Sequence, residues 1–184
     1  MTVYLIRHGK TEANEKHLYC GSTDLPLSTA GRAELQSIHY DINNVHFITS
    51  GMKRTNETLQ ILFGDVPFET DSRFREVDFG TFEMHSYEEL KDTPDYQAWL
   101  TGDNETNIPP NGESGMQMKV RVLAAYSEIR EDTCIIAHGG VIAAIMESVF
   151  PEENKNRYDW QPKPGQGYII SNATHCPIAL HCIK

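Results

Sequence analysis

The chain has 184 residues, and no apolar run in it approaches the ~18 residues that cross a bilayer as a helix. No charged and apolar leader opens it, so the expected compartment is the cytoplasm. Its four cysteines, Cys20, Cys134, Cys176 and Cys182, show no CxxC spacing. That leaves free thiols in a reducing compartment as the simplest account. Positive charge is scarce: Lys and Arg number 16 against 26 Asp and Glu, for a net charge of −10. A basic face for nucleic acid or an anionic membrane is thereby excluded, although a locally positive pocket for a small anion is not. Eight histidines are present, but none stands in an HExxH or similar pairing, so a metallohydrolase has no ligand set. His175-Cys176 and His181-Cys182 could be imagined as a metal site. The alternation of Ile178, Ala179, Leu180 and Ile183 around them favours an ordinary strand. With 39% hydrophobic and 23% charged residues, the composition suits one globular domain spanning 1–184.

What is present begins with Val3 to Ile6, a strand running into Arg7-His8-Gly9. His8 is thus placed at a strand's carboxyl tip, where open α/β sheets bind ligands. Glu15 to Pro26 reads as a loop, and Ser28 as the N-cap of a helix from Thr29. A strand His46–Thr49 follows, then a helix to Gly64 with Arg54 in its first turn, beside free N–H groups that attract anions. Val66-Pro67-Phe68 reads as a short edge strand. The alternation from Phe74 to Gly80 fits either a half-buried strand or a loop beneath the sheet edge. From about 81 to 110 the pattern loosens into an excursion of the kind used as a lid. Ser86 with Glu89 marks a capping box inside it, and Asp95 to Leu100 a second helical piece. Tyr87, Tyr96 and Trp99 either roof a pocket or fasten the excursion to the core. Ser114 with Gln117 caps a helix burying Met118, Val122, Ala125 and Ile129. Thr133 to Ala137 is a continuous apolar strand ending in His138-Gly139-Gly140. A buried helix, Val141 to Phe150, and two terminal strands, Tyr168–Ser171 and Ile178–Ile183, complete the chain. The expected fold is α/β: a three-layer α/β/α sandwich on a mostly parallel sheet, with a short lid insertion.

Parallel strands would bring His8 and His138 to one edge, with Arg7 and Arg54 beside them and Glu76 on a loop within reach. A phosphomonoester needs such groups: guanidinium forks for the nonbridging oxygens, a neutral imidazole to attack phosphorus, and an acid for the leaving alkoxide.

The same residues resemble the histidine phosphatase (phosphoglycerate mutase-like) superfamily. Its RHG signature with Thr and Asn matches Arg7-His8-Gly9, Thr11 and Asn14. G-x-x-D-x-P-L-S-x-x-G matches Gly21, Asp24, Pro26, Leu27, Ser28 and Gly31. S-x-x-x-R-x-x-x-T matches Ser50, Arg54 and Thr58, and R-E-x-D-F-G matches Arg75 to Gly80. G-E-S matches Gly112 to Ser114, and H-G-G-V-I matches His138 to Ile142. The resemblance implies a phosphohistidine on His8, with Glu76 as general acid and then base. It implies a phosphate pocket of Arg7, Asn14, Arg54, His138 and the Gly139 amide, and no metal or other cofactor. The chain departs from the pattern at Gly51 (often Pro), at Phe82-Glu83-Met84 (usually Trp-Glu-Gly) and at Ala143 (commonly Arg).

Members that act as mutases carry an arginine pair in a larger insertion, whereas Lys91 is the only cation from 81 to 110. That favours water as the phosphoryl acceptor and a small phosphorylated metabolite as the partner. The short lid and REVDFG segment look most like α-ribazole phosphatase-type members, implying α-ribazole 5′-phosphate. A mutase and a catalytically silent binding relative are the alternatives, and the sequence leaves the oligomeric state open.

Overall fold

A computed structural model describes residues 1–103, 105–172 and 174–178. Six strands form one sheet: β1 (Thr2–Arg7), β2 (His46–Thr49), β3 (Glu69–Thr70), β4 (Thr133–Ala137), β5 (Gly167–Ser171) and β6 (Thr174–Pro177). Their order is β3-β2-β4-β1-β5-β6. The ladders joining β1, β4, β2 and β3 are parallel, while β5 and β6 run antiparallel to their neighbours.

Alternation sorts the central strands between two cores. Val3, Leu5, Ile135 and Ala137 face one layer, built by α6 (Gly115–Tyr126) and α7 (Gly139–Val149). Ile6, Cys134 and Ile136 face the other, with Leu59 of α3 (Lys53–Phe63). Because both faces are covered, β4 is buried at all five positions and reads as an unbroken apolar run. Met118, Val122 and Ala125 form the buried stripe of α6, and Ile129 packs against the same core beyond the helix end.

Side-chain caps set most helix starts. Ser28 accepts from the Gly31 N–H at 3.0 Å at the head of α2 (Thr29–Gln36). Reciprocal capping boxes open α4 (Tyr87–Leu90) from Ser86 and Glu89, and α6 from Ser114 and Gln117. A third box opens α1 (Glu12–Glu15) inside what reads as a loop boundary: Thr11 and Asn14 cap one another. Four residues are too few to show hydrophobic periodicity, so only the cap announces this helix.

Two strand expectations shift, and the open choice between strand and loop at Phe74 to Gly80 falls to the loop. The edge strand read at Val66–Phe68 forms at Glu69–Thr70, where pairing with Ile48 and Thr49 begins past the N–H-less Pro67. Phe74 to Gly80 is not a strand; its turns are irregular and 3₁₀. The last strand runs Thr174–Pro177, because the chain reverses at Asn172 (φ 50°) and pairs back on β5 at once. Of the expected strand Ile178–Ile183, Ile178 is buried and donates to the Gly167 carbonyl at 2.8 Å; positions 179–183 lie outside the described residues.

The excursion has its own small core of Phe82, Leu90 and Tyr96, joined by Tyr19, Phe79 and Trp99. Tyr96 and Trp99 sit on α5 (Pro94–Leu100). Tyr19 and Tyr96 share a hydroxyl hydrogen bond of 2.5 Å. Met84, at the position where glycine is usual, holds a left-handed backbone (φ 63°), a conformation costing a side-chain-bearing residue roughly 1–2 kcal/mol.

Candidate active site

The register of β1 on β4 pairs Arg7 with Ala137, and so sets the next residues, His8 and His138, side by side. The His8 N–H donates to the Ala137 carbonyl at 3.0 Å, and the two rings meet with centroids 5.1 Å apart.

His8 is 5% exposed. Its Nδ1 lies 2.6 Å from the Gly9 carbonyl oxygen. A carbonyl accepts only, so Nδ1 carries the proton and Nε2 the lone pair. Burial pulls the His8 pKa well below its ordinary value, and the Arg54 and Arg7 cations reinforce this against the Gly9 carbonyl. The ring is therefore neutral. Among the described residues, the buried side-chain polar atoms lacking a partner are Arg7 Nε and His175 Nδ1; His8 Nε2 makes no hydrogen bond but keeps solvent access.

His138 is fully buried. Its Nδ1 accepts from Arg54 Nε at 3.3 Å, which leaves Nε2–H to donate to Ser50 Oγ at 2.9 Å. Burial first, then Arg54 and His8, hold its pKa well below the histidine range.

Arg54 is 1% exposed. Beyond His138, its Nη1 donates to the Thr23 carbonyl at 2.8 Å and its Nη2 to the Gly21 carbonyl at 2.7 Å. Three of a guanidinium's five donors are thus spent on the protein. The loop carrying those carbonyls is itself held by Glu83, which accepts from the N–H groups of Gly21, Ser22 and Thr23 and from the Thr23 hydroxyl. The sequence reading passes over Glu83 because its partners are backbone groups some sixty residues away, which no motif displays.

Arg7 donates through Nη1 to the Pro162 carbonyl at 2.8 Å, and its Nε–H points at no acceptor. A Cβ added at Gly139 would stand 3.2 Å from Arg7 Cζ, so glycine is what lets the helix start approach the guanidinium. Asn14 spends its amide oxygen on Thr11, leaving its NH₂ available. Glu76 reaches the same edge: its Oε2 accepts from the Gly140 N–H at 2.9 Å, at the positive end of α7. Its loop is pinned by Arg121, which donates to the carbonyls of Arg73, Arg75 and Glu76.

All seven residues expected at the site are therefore at one sheet edge. Arg7, Asn14 and Glu76, with Gly140, line a cavity of about 470 Å³ whose apolar walls include Tyr19, Tyr87, Tyr96 and Trp99. His8, Arg54 and His138 are buried at the same sheet edge. The aromatic residues of the excursion thus do both things open to them: they fasten it and they wall the cavity. Arg157, from the segment between α7 and β5, also lines it and pairs with Glu105. The sequence carries no signal for that pair.

No helix among the described residues is long and apolar enough to cross a membrane. Across residues 3–178 the chain matches the model of the histidine phosphatase superfamily (branch 1). It is 30% identical over 158 residues to the adenosylcobalamin/α-ribazole phosphatase of Escherichia coli K12, covering 79% of this chain and 77% of that one. It is 27% identical over 164 residues to GpmB of Salmonella paratyphi C, provisionally named a phosphoglycerate mutase, covering 81% and 74%. A solved Escherichia coli K-12 structure, provisionally named an α-ribazole-5′-P phosphatase, superposes with a TM-score of 0.82 at 25% identity, covering 96% and 94%.

Proposed function

The chain belongs to the histidine phosphatase superfamily (branch 1), and on that footing we propose that it is a metal-independent phosphomonoester hydrolase acting through His8 on a small phosphorylated metabolite. Nε2 of His8 attacks phosphorus, the bond from phosphorus to the ester oxygen breaks, and Glu76 gives its proton to the departing alkoxide. Water then attacks the phosphohistidine while the Glu76 carboxylate takes a proton from it. The P–N bond breaks and inorganic phosphate leaves. The nonbridging oxygens are held by the Arg7 Nε–H, the Asn14 amide, the remaining Arg54 donors, the Gly139 N–H and the His138 Nε2–H, which would turn to phosphate from Ser50 Oγ.

One observation carries this reading. A neutral, tautomerically fixed imidazole has its lone pair unpartnered, and the residue before it is an arginine whose buried Nε–H also lacks a partner. A phosphate oxygen would satisfy the second as phosphorus meets the first. Hydrolysis of p-nitrophenyl phosphate in the presence of EDTA, abolished by His8→Ala without loss of fold, tests it.

For the physiological ester, the relatives named for α-ribazole phosphate and the aromatic cavity walls together favour α-ribazole 5′-phosphate, whose flat base such walls suit. A phosphoglycerate mutase is the second reading, and Arg157 is what speaks for it. Lys91 pairs with Glu88 at 2.6 Å on the surface and is no clamp, but Arg157, paired with Glu105, brings a guanidinium into the cavity from outside the excursion, and a mutase would have to free it from that partner. Turnover of a panel holding both α-ribazole 5′-phosphate and 3-phosphoglycerate separates the two.

A further inference from the structure

Arg157 sits on a turn shaped by Asn156, whose side-chain oxygen accepts from the N–H groups of Tyr158 and Asp159. Its guanidinium lies between the starts of two helices. A Cβ at Gly115, the first residue of α6, would come within 3.4 Å of Arg157 Nη1; one at Gly140 of α7 would come within 3.2 Å of Nη2. Both ends are the positive poles of their helices and disfavour a bare cation. Glu105 compensates, with its carboxylate on Nη1. Its backbone is tied at both sides: its N–H donates to Asp103 Oδ1 at 3.0 Å and its carbonyl accepts from the Met116 N–H at 2.9 Å. The same virtual Cβ at Gly115 would stand 2.4 Å from Glu105 Oε2, so two glycines leave the room this ion pair occupies.

The placement matters for chemistry. Glu76 and Arg157 face the same side of Gly140, since a Cβ built there would meet both Glu76 Oε1 and Arg157 Nη2. In the hydrolase reading, on which this inference rests, Glu76 marks the leaving-group oxygen. The rest of that group must then pass Arg157. The cavity's other lining arginine, Arg7, belongs to the phosphate end.

We propose that the Glu105–Arg157 pair determines leaving-group specificity by keeping the outer part of the cavity neutral. An alcohol carrying hydroxyl groups can donate to Glu105 and accept from Arg157. An alcohol carrying a carboxylate or second phosphate finds the one cation it needs already neutralised, and meets the Glu105 charge.

Binding tests this without turnover. In a His8→Ala background, titration calorimetry gives Kd for glycerol 3-phosphate and 3-phosphoglycerate, which differ by a hydroxymethyl group against a carboxylate. With Glu105 present, glycerol 3-phosphate should bind tighter. Glu105→Gln, isosteric and uncharged, should tighten 3-phosphoglycerate by about tenfold or more, the worth of one charge-assisted contact. Adding Arg157→Gln should erase that gain, whereas adding Arg157→Lys should keep most of it. An unchanged ratio of the two constants in Glu105→Gln, a gain that survives Arg157→Gln, or no binding of either ester to any variant overturns the proposal. Failure of the hydrolase reading shows separately, as no hydrolysis of p-nitrophenyl phosphate by protein that retains His8.

Discussion

The imidazoles of His8 and His138 meet edge to face, with their planes 64° apart, one residue beyond a matched pair of parallel strands. Both rings are buried beside Arg54, and both are held neutral, chiefly by burial. As pH falls through 6.5 the unfolded chain takes protons that the folded chain refuses, so stability is lost with acidification. Each ring contributes a slope approaching about 1.4 kcal/mol per pH unit. The carboxylates whose pKa values are depressed, such as Asp71, act only at lower pH. The unfolding free energy should therefore fall between pH 6.5 and 5, and His138→Gln should flatten that fall. A flat profile in the parent protein contradicts the assignment of two neutral rings.

Arg54 joins the end of β4 to the loop at 21–23 through its contacts with His138, Gly21 and Thr23. Arg54→Ala should lower kcat/KM on p-nitrophenyl phosphate by about 10²–10³, the usual loss for one oxyanion donor, and should lower Tm as well. Arg54→Lys should not rescue it, because a point charge cannot span three acceptors. Near-normal kcat/KM in Arg54→Ala removes the residue from the site.

Glu83 is outside the cavity lining itself, but it accepts from the N–H of Phe79, which lines the cavity, and it holds the loop that holds Arg54. Glu83→Gln sets an amide NH₂ against backbone N–H donors and should cost about 1–3 kcal/mol of stability. It should also reduce kcat more than it raises KM, because the arginine loses its placement. Wild-type kcat with a lowered Tm would mean that the loop's position does not matter for turnover.

Glu76→Gln separates substrates by their need for a proton. A phenolate leaves without much help and an alkoxide does not, so the variant should lose far more on glycerol 3-phosphate than on p-nitrophenyl phosphate. Equal losses argue against Glu76 as the acid.

The elements legible in the sequence are those whose residues carry their own reason. β2 and β4 end where the reading puts them, since their apolar runs stop at Ser50-Gly51 and at His138-Gly139. The Ser28, Ser86 and Ser114 caps are local chemistry and need no tertiary partner. His8 and His138 come together because β1 and β4 pair in parallel with Arg7 opposite Ala137, the pairing that alternating strands and helices lead one to expect. What escaped depends on distance along the chain. β3 and β6 are located by their pairing partners, not by their own side chains. Arg157 meets Glu105 across fifty-two positions, and Glu83 meets Gly21 across sixty-two; neither pairing has a spacing that announces it.

Chemical capture of the phosphoryl group tests the central claim most directly. The protein is mixed with p-nitrophenyl phosphate, quenched in alkali within the first turnovers, digested and mapped by mass spectrometry. The account predicts one acid-labile, alkali-stable phosphoryl group on the peptide holding His8, absent from His8→Ala. A phosphoryl group on another residue, or steady hydrolysis by His8→Ala, would contradict it.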